Sequence, residues 1–206
     1  MRIVAINAGD KGHALLDRWS ANGHDTDGTS FDAIVEMNQP IQADVILLDL
    51  GDARVDDIAM FARHLDGKVI IDCSNVKNVP ELRSGSASIA EQVAQACPRA
   101  SVVKALNVIT FATLQRVFKR GGAESRSGYV SGYYCGDDEQ ARRTAAGLIE
   151  EAQLEPSDCG PLSNATLLEA LGLLTHHLEK HAASGPHFTI SIVRAHDDSS
   201  PLDRWM

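Results

Sequence analysis

The chain has 206 residues, 44% of them hydrophobic and 23% charged, with a formal net charge of −9. That balance fits a globular protein with a real core and disfavours nucleic acid or an anionic membrane as partner; the basic cluster Arg116, Lys119, Arg120 and Arg126 reads as a solvated loop. No apolar run approaches the ~20 residues of a membrane span, the first residues read as a core strand rather than a signal peptide, and Cys73, Cys97, Cys135 and Cys159 are too scattered for a metal or redox motif. Reduced, mostly buried thiols in a cytoplasmic protein are the expectation.

In chain order, the apolar run Ile3 to Ile6 predicts a strand that stops at a short glycine loop, Asn7-Ala8-Gly9-Asp10-Lys11-Gly12. A helix follows, with Leu15, Leu16 and Trp19 on one face, ending at Asn22-Gly23. Strand, glycine turn and helix in this order form the phosphate-gripping start of a dinucleotide-binding fold. The fingerprint asks for three glycines, and Asn7 stands where the first should be. Asparagine tolerates left-handed backbone, so the turn remains available. Asp10 places a carboxylate near the expected phosphate; Lys11 and the helix N-terminus offset it. The same segment also fits an ordinary strand-to-helix turn that binds nothing.

The next stretch, His24 to Ser30, contains no apolar residue, and about twenty residues separate Gly23 from Val45 where such folds often fit a strand, a helix and another strand. This part of the fold is therefore expected to be abbreviated. Asp27, Thr29 and Ser30 fall where the adenosine ribose is usually read, with no Arg or Lys adjacent, so the residues leave NAD(H) and NADP(H) both open. Ala43 to Leu50 predicts a strand buried on both faces. Asp52 caps a helix carrying Val55, Ile58, Phe61, Ala62 and Leu65; Lys68 to Cys73 is a strand; Ser88 to Cys97 is a helix; Ser101 to Leu106 is a strand; Phe111 to Phe118 is a helix. Lys119 to Gly128 reads as a polar loop, Tyr129 to Cys135 as a strand, and Asp137-Asp138 as the start of a helix with Ala141, Ala145, Leu148 and Ile149 facing inward. Leu154 to Asp158 closes the series as a short strand. Leu167, Leu171, Leu174 and Leu178 then mark one long amphipathic helix from Asn164 to about His181, and Phe188 to Val193 alternates like a strand before a polar tail.

The alternation predicts an α/β fold: a Rossmann-like, doubly wound, mostly parallel sheet with a small C-terminal helical extension. Residues 1–160 form the dinucleotide-binding domain, and residues 161–206 a helix and tail. The loops after Ile6, Leu50, Cys73 and Leu106 should open into one crevice at the carboxyl ends of the strands. His177 and His181 are spaced to share a metal, but no clear third ligand accompanies them, so no metal site is expected.

Several short segments resemble one family. They are Ala43-Asp44-Val45-Ile46, Val69-Ile70-Ile71-Asp72-Cys73-Ser74-Asn75, Val103-Lys104-Ala105-Leu106-Asn107, Cys135-Gly136-Asp137-Asp138, Cys159-Gly160-Pro161-Leu162, Leu168-Glu169-Ala170-Leu171 and Gly185-Pro186-His187-Phe188. In order and spacing they resemble the 8-hydroxy-5-deazaflavin:NADP oxidoreductases and related NADP-dependent reductase-like proteins. The resemblance implies that Ala8, Gly9, Asp10, Lys11 and Gly12 hold the pyrophosphate, and that Thr29 and Ser30 read the adenosine ribose and its phosphate, with Phe31 at the family's basic position. It implies that Gly51 borders the cofactor, that Ser74 and Asn75 lie beside the nicotinamide, and that Lys104 and Asn107 form the base of the reaction crevice. It also implies a C-terminal end that completes the acceptor pocket and a homodimer.

The function expected on this basis is hydride transfer between a nicotinamide dinucleotide, NADP(H) being favoured and NAD(H) left open, and a small-molecule acceptor such as a deazaflavin or flavin. Lys104, Asn107 and Asn75 are the candidate catalytic residues, since such chemistry needs alignment, dryness and hydrogen bonds rather than a nucleophile. The alternative is a non-catalytic Rossmann-fold binding protein that has lost cofactor affinity, supported by Asn7, the apolar-free second strand, Phe31 and Val76 in place of the family's proline.

Overall fold

The computed structural model describes residues 1–37, 39–51, 55–83, 87–119, 130–181 and 188–192. Seven strands form one sheet: β1 (Arg2–Ile6), β2 (Asp25–Thr29), β3 (Val45–Leu48), β4 (Val69–Asp72), β5 (Ser101–Ala105), β6 (Ser131–Gly136) and β7 (Glu155–Asp158). Their spatial order is β2-β1-β3-β4-β5-β6-β7, parallel throughout except for the antiparallel pair β5 and β6. The chain winds outward from β1 to β2, then crosses back to lay β3 on the other side of β1. That reversal makes a crevice at the carboxyl ends of β1 and β3, the place where doubly wound sheets bind ligands.

The unbroken apolar runs are explained by burial on both faces. Ile3, Ala5, Val45, Leu47, Ile71 and Val103 face one core; Val4, Ile6, Ile46, Leu48, Ile70 and Val102 face the other. The first core is closed by α1 (Gly9–Ala21), α6 (Phe111–Lys119) and α7 (Glu139–Glu151), the second by α3 (Val55–Ile58), α5 (Ile89–Ala96) and α8 (Ala165–His181). Trp19 of α1 is fully buried, and its indole donates to the Leu148 carbonyl of α7 at 2.9 Å. Ser88 and Glu91 form a reciprocal capping box at the start of α5.

Several sequence expectations are refined. The apolar-free second strand exists: β2 is an edge strand held by its backbone ladder to β1, and its Asp residues face solvent. It leads into the single short helix α2 (Phe31–Val35). The helix expected beyond Asp52 is cut to α3 and a 3-10 turn at Ala62–Leu65, with Ile58, Phe61 and Leu65 still buried; Asp52 itself lies outside the described residues. So do residues 120–129, which hold most of the expected polar loop, and the Gly185-Pro186-His187 segment.

Two expectations are corrected. The expected long helix is α8, but most of its leucine row is not its buried face: Leu167, Leu174 and Leu178 are 67%, 49% and 37% exposed, Leu171 is half-buried against the second core, and the helix packs chiefly through Ala165, Leu168, Glu169, Gly172, Leu173 and Thr175. A buried carboxylate and a glycine on the packed face made the real stripe hard to see by periodicity. Phe188 to Ile192 is not a strand either, because side chains take its backbone hydrogen bonds. Thr113 donates to the Phe188 carbonyl, Tyr133 donates to the Ile190 carbonyl, and Ile192 N–H donates to Ser131 Oγ. Among the described residues no helix is long and apolar enough to cross a membrane.

Candidate functional site

The loop after β1 turns on two residues in left-handed backbone, Asn7 (φ 54°) and Gly9 (φ 53°). Asn7 thus takes the conformation that the missing glycine would have supplied. Its N–H donates to the Thr29 carbonyl at 3.1 Å, which locks the loop to the end of β2. Gly12 fills a different need. A Cβ there would lie 1.9 Å from Ala8 Cβ and 3.6 Å from Leu47, so only glycine lets α1 start this close to the sheet.

Helix α1 is 13 residues long and has no side-chain cap at its N-terminus, where Ala8 stands. The first N–H groups of the helix are therefore left for an incoming acceptor, and the helix dipole favours an anion. A cavity of about 510 Å³ opens at this point, lined by Ala5, Asn7, Ala8, Gly9, His13, Gly28, Thr29 and Ser30. The structure thus brings together five residues singled out from the sequence, and adds Ala5, His13 and Gly28. His13, one turn beyond Gly9, is fixed by its Nδ1, 2.7 Å from the Gly9 carbonyl oxygen. Ser30 caps α2 by accepting from Ala33 N–H. Phe31 packs on Phe61 with ring centroids 5.3 Å apart.

Lys11 leans across the crevice and donates to the Leu106 carbonyl at 3.1 Å. It ties the loop after β1 to the end of β5, where Leu106 has φ 59°. Beside it, burial pushes the Cys73 thiol up to about 12, with Lys11 pulling the other way. Gly51 sits on an exposed turn, its N–H donating to Asp49 Oδ1 at 3.1 Å.

The remaining expected site residues form two internal networks behind the crevice. In the first, Lys104 is fully buried: its ammonium donates to Asp72 Oδ2 at 2.8 Å and the Ser74 carbonyl at 2.5 Å, and lies 3.1 Å from Glu169 Oε1. Ser74 Oγ accepts from Leu50 N–H at 2.9 Å, and the Asp72 carboxylate accepts from Ser74 N–H at 3.0 Å. Burial disfavours the charge on Lys104, but Asp72 and Glu169 outweigh it and hold the ammonium above the ordinary lysine range. Burial pushes Glu169 above the ordinary carboxylate range against the pull of Lys104. The network joins β3's loop, β4, β5 and α8, so Lys104 acts as a bolt across the sheet ends, with no donor left over.

In the second network, Asn75 Nδ2 donates to the Asn107 carbonyl at 2.9 Å. Asn107 Nδ2 donates to Asn75 Oδ1 at 2.9 Å and to the Leu168 carbonyl at 2.7 Å. Gly172 of α8 makes room: a Cβ there would fall 2.0 Å from Asn75 Oδ1 and 2.8 Å from Asn107 Nδ2. Asn107 is 3% exposed, and its Oδ1 is a buried acceptor without a partner among the described residues. Alanine improves a helix interior over glycine by about 1 kcal/mol on propensity alone. Gly172→Ala is nevertheless expected to lower the melting temperature, because its methyl displaces the Asn75 amide; a thermal melt showing stabilisation would refute this packing.

Sequence reasoning missed His13, Asp72, Glu169 and Gly172. Glu169 carried a signal, a lone carboxylate inside Leu168-Glu169-Ala170-Leu171, and so did His13, one helical turn after the glycine. Among the described residues no group of three His, Cys, Asp or Glu side chains is placed to hold a metal; His177 and His181 stack with ring centroids 6.2 Å apart.

No family model matches the chain. It is 30% identical over 130 residues to Metalloreductase STEAP3 of Rattus norvegicus, covering 63% of this chain and 25% of that one, so the chain spans about a quarter of that relative's length. A solved structure described as an F420-dependent NADP-reductase from Arthrobacter sp. FB24 is similar over 93% of this chain and 99% of that chain, with TM-score 0.71 and 19% identity. An imine reductase from Myxococcus stipitatus in complex with NADP+ is similar over 86% of this chain and 61% of that one, with TM-score 0.55 and 17% identity. The fold is the Rossmann-like, mostly parallel α/β sheet with a C-terminal helix, and the chain is similar in sequence to part of a metalloreductase and in fold to these reductases.

Proposed function

We propose that the protein is an oxidoreductase that binds a nicotinamide dinucleotide, NADP(H) in the first instance, and exchanges hydride with a small flat acceptor of the deazaflavin or flavin type. The observation that carries this reading is the uncapped N-terminus of α1, opened by left-handed Asn7 and Gly9 onto the cavity that ends at Thr29 and Ser30. The residues fit the coenzyme: free helix N–H groups suit a diphosphate, Gly12 brings them close to the sheet, and the unpartnered Asn107 Oδ1 suits an amide N–H donor.

When bound, the nicotinamide supplies the hydride. The amides of Gly9, Asp10 and Lys11 hold the diphosphate; Thr29 and Ser30 hydroxyls meet the adenosine ribose. The Asn75–Asn107 pair orients what lies at the ends of β4 and β5. Lys104 and Ser74 are positioning residues, since both are spent on holding the strand ends and α8 in register. No side chain is required as nucleophile, and rate comes from alignment and exclusion of water.

The internal engagement of Lys104, Ser74 and the two asparagines also favours a second reading, a binding protein of the same fold without catalysis. Titration with NADPH and NADH separates the two. Saturable nicotinamide fluorescence with a thermal shift, followed by turnover with a deazaflavin or flavin acceptor, supports the enzyme. Coenzyme binding without turnover across an acceptor panel overturns hydride transfer to these acceptors. A ligand at about 100 times its Kd adds about 2.7 kcal/mol of stability, so absence of any shift at high coenzyme overturns the enzyme and supports a binding protein that has lost coenzyme affinity.

The exposed leucines of α8 support the expected homodimer, since Leu167, Leu174 and Leu178 form an apolar row along one helix. Light scattering is expected to give twice the chain mass, and Leu174→Asp to give the monomer; a monomeric parent protein refutes the dimer.

A further inference from the structure

We infer that His13 reads the 2′ position of the coenzyme's adenosine ribose and makes the choice between NADPH and NADH depend on pH. The inference rests on the coenzyme reading above and deepens it. Among the described residues lining the cavity, His13 is the side chain that can carry positive charge; its polar companions Asn7, Thr29 and Ser30 are neutral. Lys11 points the other way, to Leu106, and Phe31 is turned onto Phe61.

The ring is held in one orientation. A backbone carbonyl only accepts, so the contact of 2.7 Å to the Gly9 oxygen places the proton on Nδ1. The other nitrogen, Nε2, projects over β2: a Cβ built on Gly28 would lie 3.8 Å from it. Gly28 immediately precedes Thr29 and Ser30 at the carboxyl end of β2, the strand end where dinucleotide folds read the adenosine ribose. Gly28 thus leaves the space in which Nε2 and a ribose substituent meet.

With Nδ1–H committed to Gly9, neutral His13 offers only a lone pair at Nε2. That lone pair accepts from the 2′-hydroxyl of NADH and repels the 2′-phosphate of NADPH. Protonation converts Nε2 into a charged donor, and the preference reverses. Binding of NADPH therefore takes up a proton at Nε2, while binding of NADH does not.

The charged groups on the elements around the ring are mostly carboxylates. Asp10 and Asp17 stand three residues before and four after it on α1, on the same helical face. On β2, Asp27 alternates to the other face of the strand from Gly28 and accepts the Gly28 N–H, and on α2 Asp32 follows Ser30. Lys11 is the nearest cation along α1 and is occupied by Leu106.

The test is the dissociation constant of NADPH and of NADH at about pH 6 and about pH 8, the range in which histidine changes charge, for the full chain and for His13→Ala and His13→Lys. For the parent protein, NADPH is expected to bind about tenfold more weakly at the higher pH, one charged hydrogen bond's worth, while NADH changes by less than about twofold. The 2′-phosphate itself titrates in this range, and His13→Ala isolates that contribution. His13→Ala should lose the NADPH preference at acidic pH, and His13→Lys should keep it at both. An NADPH affinity whose pH dependence is undiminished in His13→Ala, or equal dependence for both coenzymes, overturns the role of His13 while leaving the coenzyme reading intact. Failure of both coenzymes to bind at either pH overturns the coenzyme reading itself, and this inference with it.

Discussion

Replacing Lys104 with methionine is expected to cost about 3–5 kcal/mol, the penalty of leaving a buried ionic network without its counter-charge. Lys104 and Asp72 are fully buried and Glu169 is 1% exposed, so neither carboxylate can recruit bulk water when the ammonium is removed. The loss should depend on pH, with a sign fixed by the groups involved. Glu169 is held above its ordinary value of 4.5, chiefly by burial. Its contribution to stability is complete below pH 4.5 and is lost as pH rises through its folded value. Lys104 is held above 10.5 by Asp72 and Glu169 against burial, so its own contribution is present below that pH and is lost only as pH rises through the higher folded value. Without the ammonium, Glu169 is pushed further toward protonation, and the penalty of Lys104→Met should widen as pH rises from the acid side toward neutrality.

Urea melts across that range measure it directly. A double variant, Lys104→Met with Glu169→Gln, should be more stable at neutral pH than Lys104→Met alone, because one of the two uncompensated charges is gone. A penalty that is small and flat with pH would show that the ammonium is not the cation these carboxylates depend on.

The second large effect is expected at Gly12. Valine there must place its Cβ where Ala8 Cβ already stands, 1.9 Å away, so α1 has to lift from the sheet. Overpacking of this kind costs about 1–3 kcal/mol. The larger consequence is functional: moving the helix start withdraws its N–H groups from the cavity, and coenzyme binding should be abolished even at temperatures where the variant is folded. Asn7→Gly is the matched control. Asn7 already has φ 54°, the conformation glycine adopts without strain, so this change should leave binding within about twofold of the parent. Calorimetric titration of the two variants decides the matter. Full affinity in Gly12→Val would mean that the anion site lies elsewhere.

The candidate site was legible in the sequence in proportion to how local its causes are. The glycine loop could be read because its strand, turn and helix are contiguous, and Asn7 in left-handed backbone follows from the chemistry of one residue. The roles of Lys104 and Asn107 follow instead from partners far along the chain. Asp72 and Glu169 reach Lys104 across 32 and 65 positions of sequence, and Leu168 reaches Asn107 across 61. A lysine at a strand end reads as a ligand-facing cation until the carboxylate arriving on α8 is known.

By itself, the sequence determined the alternation of strands and helices, the mostly parallel sheet and the doubly buried character of β1, β3, β4 and β5. Hydrophobic period and glycine placement act within a few residues and need no partner to be seen. Tertiary structure alone decided three things. It made a strand of Asp25–Thr29, because ladder hydrogen bonds to β1 hold an edge that buries almost no apolar surface. It turned the leucine row of α8 outward, because Glu169 had to reach Lys104 and Gly172 had to admit Asn75. And it set His13 over Gly28 at the mouth of the cavity, since side chains from different elements meet only when the sheet is assembled.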